Sequence, residues 1–131
     1  MTDSELVALA KQARERAYAP YSNFPVGAAL LGRSGRIHTG CNVENAAYPL
    51  TTCAERTAVT KAVSEGEREF EAIAVVTATG ATPCGGCRQI LREFGGPHGD
   101  LRVLVADTAG NVRVFTIAEL LPEGFTPNQL G

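Results

Sequence analysis

Apolar positions recur with two different periods along the chain. Near the N-terminus they recur at helical spacing and predict a helix over residues 4–18, which Thr2 and Glu5 can begin with a capping box. The run VGAALL (26–31) is almost continuously apolar and predicts a buried strand, and the turn GRSG leads from it into a second strand over 36–43. We expect these two strands to form a hairpin.

The middle of the chain contains two further helical patterns and two apolar runs. Alanines and valines at i, i+4 spacing predict a helix over 53–65, and another helix is expected to begin at PCGGC (83–87) and to close at Gly95. The runs AIAVVT (72–77) and LRVLVA (101–106) are short and nearly all apolar, as in central parallel strands. Helices and strands therefore alternate through this region.

The C-terminal part predicts one more strand and one more helix. NVRVF (111–115) is strand-like, and the following TIAELL can begin with a capping box between Thr116 and Glu119 and end at Pro122. The resulting order, α-β-β-α-β-α-β-β-α, predicts a mixed sheet with helices on both faces. We see no internal repeat or linker, so residues 1–131 are interpreted as a single domain.

Alternation along the second strand separates its side chains into two faces. One face carries Ile37, Thr39, Cys41 and Val43, and the other carries His38, Gly40, Asn42 and Glu44. Asn42 and Glu44 are therefore expected to project together from the strand end. We expect Cys41 to be a small buried hydrophobe and His38 to be exposed.

Composition and charge narrow the function classes. The chain is 44% hydrophobic and 20% charged, which is ordinary for a globular protein, and its net charge of -2 gives no basic surface for nucleic acid or an anionic membrane. Small soluble substrates are favoured instead. The N-terminus MTDSELVALAKQA has acids where a signal peptide needs basic residues, and no apolar run reaches membrane-spanning length, so a cytoplasmic location is expected.

The cysteines carry the strongest chemical signal. In a reducing compartment they are expected to be free thiols, redox groups or metal ligands. Cys84 and Cys87 form a C-x-x-C at one helix start and Cys53 opens another helix, where unpaired N–H groups and the helix dipole favour thiolates. Three thiolates can hold zinc and leave its fourth position open, which is typical of a catalytic site.

Charged residues follow these cysteines closely. Glu55 lies two residues after Cys53 and can move protons beside the metal if the ion lies just off the helix end. Three thiolates on Zn²⁺ give a net charge of -1, which a nearby cation would offset. We assign Arg56 as the donor to sulfur and interpret Arg88 as a helix-surface charge.

Two other interpretations of the cysteines remain open. Cys41 can complete a closed structural zinc site in a protein-interaction module, although this leaves Glu55 unexplained. Alternatively, Cys84 and Cys87 can act as a thiol-disulfide pair.

The motifs together resemble a known family. C-A-E at 53–55 and P-C-x-x-C at 83–87, with YSNFPVGAAL and GCNVENAAYPLTTCAERTA, closely resemble the small cytidine deaminases over nearly the whole chain. The resemblance implies a three-layer α-β-α fold with a mixed five-stranded sheet. It also implies hydrolysis of cytidine and deoxycytidine to uridine and deoxyuridine, with release of ammonia.

The resemblance also implies roles for individual residues. One zinc ion per chain is held by Cys53, Cys84 and Cys87, and Glu55 carries protons to N3 of the base and then to the leaving amine. The residues implied to bind substrate are Phe24, which packs on the base, Asn42 and Glu44, which hold the ribose hydroxyls, and Ala54.

A cysteine at position 53, where other deaminases carry histidine, is similar to the homotetrameric branch of the family. There, neighbouring subunits complete each site, and Tyr48 and Phe125 are the candidates to reach a neighbour. Related scaffolds of similar length act on aminonucleoside antibiotics such as blasticidin, which the zinc motifs do not separate from cytidine deaminases. CNVEN with YSNFPVGAAL favours a ribose-recognising enzyme.

Overall fold

Residues 1–130, which the computed structural model describes, form five strands and four α-helices in the predicted order. The strands are β1 (Gly27–Gly32), β2 (Ile37–Cys41), β3 (Phe70–Thr77), β4 (Arg102–Asp107) and β5 (Val112–Thr116). The helices are α1 (Asp3–Arg14), α2 (Ala54–Ser64), α3 (Gly85–Glu93) and α4 (Ile117–Leu120), with 3₁₀ turns at Tyr48–Leu50 and Pro127–Leu130. Both predicted capping boxes, Thr2 with Glu5 and Thr116 with Glu119, are present.

The strands form one mixed sheet in the order β2-β1-β3-β4-β5. β1 and β2 form the predicted antiparallel hairpin, and β1 also pairs antiparallel with β3. β3 and β4, the two apolar runs, are parallel neighbours, and β5 closes the other edge antiparallel to β4. The crossover from β3 to β4 runs through α3, so α3 begins beyond the C-terminal end of β3.

Two apolar clusters lie on opposite faces of the sheet and give three layers. On one face, α1 buries Leu6 and Ala10 against β1, β3 and β4. On the other face, α2, α3 and α4 bury Ala58, Leu91 and Ile117 among others against the same strands. The predicted α-β-α layering, with helices on both faces, is confirmed.

Glycines allow the helices to approach the sheet closely. A Cβ at Gly40 of β2 would lie 2.6 Å from the Ala54 carbonyl oxygen and 2.7 Å from the Ala58 nitrogen, both backbone atoms of α2. A Cβ at Gly27 of β1 would lie 2.0 Å from the carbonyl oxygen of Ala10 in α1. Gly40 thereby sets the start of α2 against the end of β2, where the predicted site residues lie.

The first helix ends four residues earlier than predicted. Residues 15–17 continue only as i→i+3 turns, and Tyr18 pairs with the extension of β2 instead. Its N–H donates to Asn42 O and its carbonyl accepts from Glu44 N–H. This tertiary pairing outweighs the helical periodicity that runs on to Ala17, and it fixes the backbone of Asn42 and Glu44.

The prediction of an exposed His38 is wrong. Its side chain is only 4% exposed, because Nε2 lies 2.8 Å from a Glu67 carboxylate oxygen and Nδ1 lies 3.6 Å from one of Glu65. Cys41 on the opposite face is half-buried rather than fully buried. The polar face of β2 is the one that α2 covers, because β2 is an edge strand and Gly40 admits the helix.

No helix among the described residues is both long and apolar enough to cross a membrane.

Candidate metal centre

Two helix starts bring three thiols together. Cys53 is the N-cap of α2 and Cys84 is the N-cap of α3, while Cys87 lies in the first turn of α3. Their three Sγ atoms lie within 4.8 Å of one another. Cys41 is not part of this group, so the described residues give no support to a closed four-cysteine site.

The cluster fits a zinc ion. Tetrahedral zinc with Zn–S bonds of about 2.3 Å places its sulfurs about 3.8 Å apart, which is within the 4.8 Å that bounds the three Sγ separations here. An all-thiolate donor set also suits zinc better than magnesium or calcium. With three protein donors, a fourth position would stay open to the cavity beside them.

The thiols differ in their tendency to ionise. A hydrogen bond with Cys87 lowers the pKa of Cys53 to about 6, and the charge of Arg56 contributes in the same direction. Cys87 is buried, and its pKa is raised by the bond with Cys53 and by burial. Cys84 lies at the exposed side of the cluster.

Glu55 is buried beside the thiols. Its side chain is 4% exposed although it carries a carboxyl group, and it lines the same cavity as Cys53, Cys84 and Cys87. Burial raises the pKa of Glu55 to about 7, and the neighbouring Cys53 charge adds to this rise. An acid in the first turn of a surface helix would be solvated, so its burial here distinguishes Glu55 from an ordinary first-turn acid.

Arg56 lies against the same thiols. Burial opposes its charge, but interactions with Cys87 and Cys53 outweigh that effect and raise the pKa of Arg56. A Cβ at Gly86 would lie 2.3 Å from the guanidinium Nη2. The small residue between the α3 cysteines thus leaves the space that Arg56 occupies.

Arg88 is not the helix-surface charge that its position in α3 predicts. Its Nε donates to Pro83 O at 2.7 Å, Nη1 to Leu120 O at 2.8 Å and Nη2 to the Thr82 hydroxyl at 2.7 Å. Arg88 therefore ties the loop before Cys84 to the end of α4. Its position immediately after the C-x-x-C was the available sequence signal, but its acceptors are not visible in sequence.

A cavity of about 290 Å³ opens from the cysteines toward the end of β2. Its lining includes Phe24, Asn42, Glu44 and Ala54, so the structure brings together the predicted substrate-binding residues and the thiols. Asn42 Oδ1 accepts from Val26 N–H at 2.9 Å, and Asn42 Nδ2 donates to Phe24 O at 3.0 Å. The amide of Asn42 thus holds the loop that carries Phe24.

Tyr48 and Phe125 do not line this cavity. Tyr48 is 70% exposed and packs edge-on against Tyr21, with ring centroids 5.8 Å apart, beside a second hollow that Glu44 also lines. Phe125 is 55% exposed, and its carbonyl accepts from the Gln89 side chain at 2.9 Å. Both rings are available to a second chain.

Comparisons with known proteins agree with this geometry. Residues 1–99 match the model of a family described as the cytidine and deoxycytidylate deaminase zinc-binding region. A cytidine deaminase of Sporosarcina psychrophila is 50% identical over 132 residues, covering 99% of this chain and 96% of that protein. One of Halalkalibacterium halodurans is 49% identical over 127 residues, with 95% of each covered.

Solved structures are similar over the same extent. The crystal structure of cytidine deaminase from Burkholderia pseudomallei has a TM-score of 0.91 and 51% identity, covering 95% of this chain and 100% of that chain. The corresponding protein from Mycobacterium tuberculosis has a TM-score of 0.82 and 42% identity, covering 95% and 98%. The similarity thus includes the segments that form both helix starts and the cavity.

Proposed function

The chain belongs to the cytidine and deoxycytidylate deaminase family, and we propose that it hydrolyses cytidine and deoxycytidine to uridine and deoxyuridine with release of ammonia. It is a zinc-dependent enzyme. The observation that carries this function is the meeting of three thiols with the buried Glu55 at one end of a nucleoside-sized cavity.

Cys53, Cys84 and Cys87 would hold the zinc ion. When bound there, zinc lowers the pKa of a coordinated water and so supplies the attacking nucleophile at neutral pH. Arg56 offsets the charge of the thiolates because its guanidinium group lies against them. The start of α2 also offsets the negative charge of the thiolates, because its first N–H groups have no partner within the helix.

Glu55 moves the protons of the reaction. It takes a proton from the attacking water and delivers it to N3 of the base as the C4–O bond forms. It then carries the proton of the new C4 hydroxyl to the exocyclic nitrogen, so that the C4–N bond breaks, C4=O forms and ammonia leaves. General acid–base groups must lie within hydrogen-bond reach of the reacting atoms, and Glu55 lines the cavity beside the thiols.

The other end of the cavity binds the nucleoside. Phe24 packs on the base, and Ala54 at the start of α2 lines the same space. Asn42 keeps one amide N–H free beyond its bond to Phe24 O. That N–H and the carboxylate of Glu44 hold the ribose hydroxyls.

A substrate comparison tests this function. Purified zinc-loaded protein is incubated with cytidine, deoxycytidine or blasticidin S, and the deaminated products are quantified by chromatography. We expect uridine and deoxyuridine, with blasticidin S turned over far more slowly because Glu44 and Asn42 recognise a ribose. Turnover of blasticidin S alone would contradict the assignment in favour of an antibiotic deaminase.

The assembly and location belong to the same proposal. We expect the 131-residue chain to act as a single domain in a homotetramer, with neighbouring subunits completing each site through Tyr48 and Phe125. Their exposure supports this. The net charge of -2 argues against a nucleic-acid partner, and a cytoplasmic location is expected, which fractionation of cells producing the protein would test.

A further inference from the structure

The hydroxyl of Ser22 connects two of the residues assigned to substrate binding. It donates to Glu44 Oε2, and it accepts from Phe24 N–H at 3.1 Å. We propose that Ser22 is a positioning residue that fixes the rotation of the Glu44 carboxylate toward the sugar hydroxyls and couples it to Phe24. This inference rests on the proposed function, because it assumes that Glu44 binds the sugar.

The remaining bonds of Glu44 explain why the hydroxyl matters. Oε1 accepts from the backbone N–H groups of Tyr21 at 3.0 Å and of Ser22 at 3.1 Å. Both backbone bonds end on the same oxygen, so by themselves they fix Oε1 and leave Oε2 able to pivot about it as the side-chain torsions adjust. The hydroxyl of Ser22 holds the second oxygen and removes that freedom.

An acceptor count gives the consequence for the ligand. A carboxylate oxygen offers about two lone-pair positions. The two backbone bonds fill Oε1, whereas Oε2 keeps one position beside its bond from Ser22. Glu44 is buried and lines the cavity, so this remaining position is the one available to a sugar hydroxyl.

Charge supports the same arrangement. Hydrogen bonds from Ser22, its hydroxyl first, lower the pKa of Glu44. The group is therefore an ionised acceptor, and hydrogen bonds to charged acceptors are stronger than neutral ones. Losing the orientation of such a group weakens binding of the hydroxyls it accepts.

The loop that contains Ser22 is held at both ends. Asn42 bonds the backbone at Phe24 and Val26, while Glu44 bonds the backbone at Tyr21 and Ser22. Removing the Ser22 hydroxyl leaves all of these bonds in place. Besides the bond to Glu44, only the bond from Phe24 N–H is lost with the hydroxyl, so a substitution there should act chiefly on the carboxylate and not on the fold.

The test compares two substrates and three substitutions. Kinetics of the unsubstituted enzyme and of Ser22→Ala, Ser22→Cys and Ser22→Thr are measured with cytidine and with 2′,3′-dideoxycytidine, which lacks the 2′ and 3′ hydroxyls that Glu44 is proposed to accept. For Ser22→Ala we expect KM for cytidine to rise about tenfold with kcat within about twofold, as for loss of a charge-assisted hydrogen bond. With dideoxycytidine the unsubstituted enzyme and Ser22→Ala should have nearly equal kcat/KM.

The variants Ser22→Thr and Ser22→Cys ensure that the test does not depend on Ser22→Ala alone. Ser22→Thr keeps the hydroxyl and should recover most of the cytidine KM. Ser22→Cys keeps the side-chain size but offers only a weak donor, so it should show the same selective loss as Ser22→Ala, including in the event that the alanine variant does not fold.

Ser34 provides a matched control. Its hydroxyl also accepts from the N–H two residues on, at Arg36, and its backbone N–H also donates to a glutamate, Glu67. Ser34 lies at the β1–β2 turn, away from the cavity, so Ser34→Ala should leave cytidine kinetics unchanged.

Three outcomes would contradict the proposals and can be told apart. Equal losses on cytidine and dideoxycytidine for the Ser22 variants would mean a general effect on the loop and would overturn the positioning role. Unchanged cytidine kinetics in Ser22→Ala and Ser22→Cys would overturn it as well. No deamination of cytidine by the unsubstituted, zinc-loaded protein would overturn the proposed function, and the inference with it.

Discussion

Gly86 matters for the space it leaves between the two α3 cysteines. The atom that a Cβ at this position would meet is Arg56 Nη2, at 2.3 Å, the end of a flexible side chain. In Gly86→Ala we therefore expect the helix to form normally and the guanidinium to move away from the thiols. Because outer-shell partners typically contribute about 10- to 100-fold to metal affinity, zinc affinity should fall by about tenfold, measured by competition with a chromogenic chelator.

Gly85 is the matched control for this substitution. A Cβ there would meet nothing within 4 Å. Gly85→Ala adds the same methyl group in the same first turn and should leave zinc affinity unchanged. Equal affinities in the two alanine variants would show that Arg56 does not act on the thiolates.

Individual residues differ in how far their sequence context reveals them. Cys53 and Glu55 are recognisable because a metal ligand and a proton-transferring acid stand two positions apart at one helix start. Cys84 and Cys87 are recognisable because their spacing fits one helical turn. Arg88 was not assigned this anchoring role, because one of its acceptors, Leu120 O, lies 32 positions away. His38 was misjudged for the same reason, since Glu67 lies 29 positions away.

At the scale of elements, α3 presents its cysteines correctly only if the loop before it is fixed. Arg88 makes three hydrogen bonds there, two to the loop and one to the end of α4. Arg88→Ala should loosen Cys84 and lower zinc affinity by about 10- to 100-fold, as expected when partners that orient metal ligands are lost. The same chelator competition measures it, together with thermal unfolding in the presence and absence of zinc.

Arg92, one turn further along α3, supplies the control. It donates to Gly96 O and Pro97 O at the far end of the helix. Arg92→Ala also loses an arginine that bonds backbone carbonyls, but it should keep the zinc affinity of the parent. A similar loss in both variants would mean that the effect is a general weakening of α3.

A second cluster, formed by Ser34, His38 and Glu67, joins β2 and the turn before it to the connection between α2 and β3. Hydrogen bonds from Ser34 and His38 lower the pKa of Glu67 to about 2, from an ordinary value of 4.5. A carboxyl with a lowered pKa in the folded state binds fewer protons there than in the unfolded state. Its contribution to the free energy of unfolding is therefore full above about pH 4.5 and is lost as the pH falls toward about 2.

Urea unfolding of the parent and of Glu67→Gln at pH 6, 4 and 3 measures this contribution. We expect the variant to be less stable at pH 6, and the difference to narrow as the pH falls. Glu69→Gln is the control, because Glu69 is exposed and its ion pair with Arg33 spans 3.9 Å, a kind of pair that contributes little. A difference for Glu67→Gln that does not change with pH would contradict the assignment.

Periodicity predicted the type and order of the four α-helices and five strands, because the helices bury one face against the sheet while the central strands are apolar runs buried on both faces. It did not predict that α1 ends at Arg14. The helix stops there because the backbone of Tyr18 pairs with Asn42 and Glu44, which lie far along the chain, instead of continuing the helix. It also did not reveal which face of β2 is buried. That depends on Gly40, whose missing side chain lets α2 cover the polar face.

At the scale of the whole molecule, the proposed tetramer makes a specific demand on Phe125. If each site combines Glu55 of one chain with Phe125 of another, both Glu55→Ala and Phe125→Ala homotetramers should be nearly inactive. Mixed tetramers, refolded together from the two variants, should regain part of the parent activity, because some sites then contain both residues. Sedimentation confirms the oligomeric state of each preparation.

The mixing experiment has its own control and a clear contrary result. Glu55→Ala mixed with Cys84→Ser should regain nothing, because Cys84 and Glu55 lie in one cavity of a single chain. If tetramers are present but the mixture with Phe125→Ala regains no activity, Phe125 contributes to the site of its own chain or to no site. A monomer in sedimentation would contradict the shared site altogether.

The most direct test of the central claim is to measure zinc content and uridine formation on the same preparation of Glu55→Gln. The three thiols remain, so the variant should hold one zinc ion per chain, as the parent does. Its rate with cytidine should fall by a factor of about 10²–10⁴, the usual contribution of a general acid–base group. Loss of zinc together with activity would make Glu55 a ligand, and an undiminished rate would remove it from the proton transfers; either result would contradict the account.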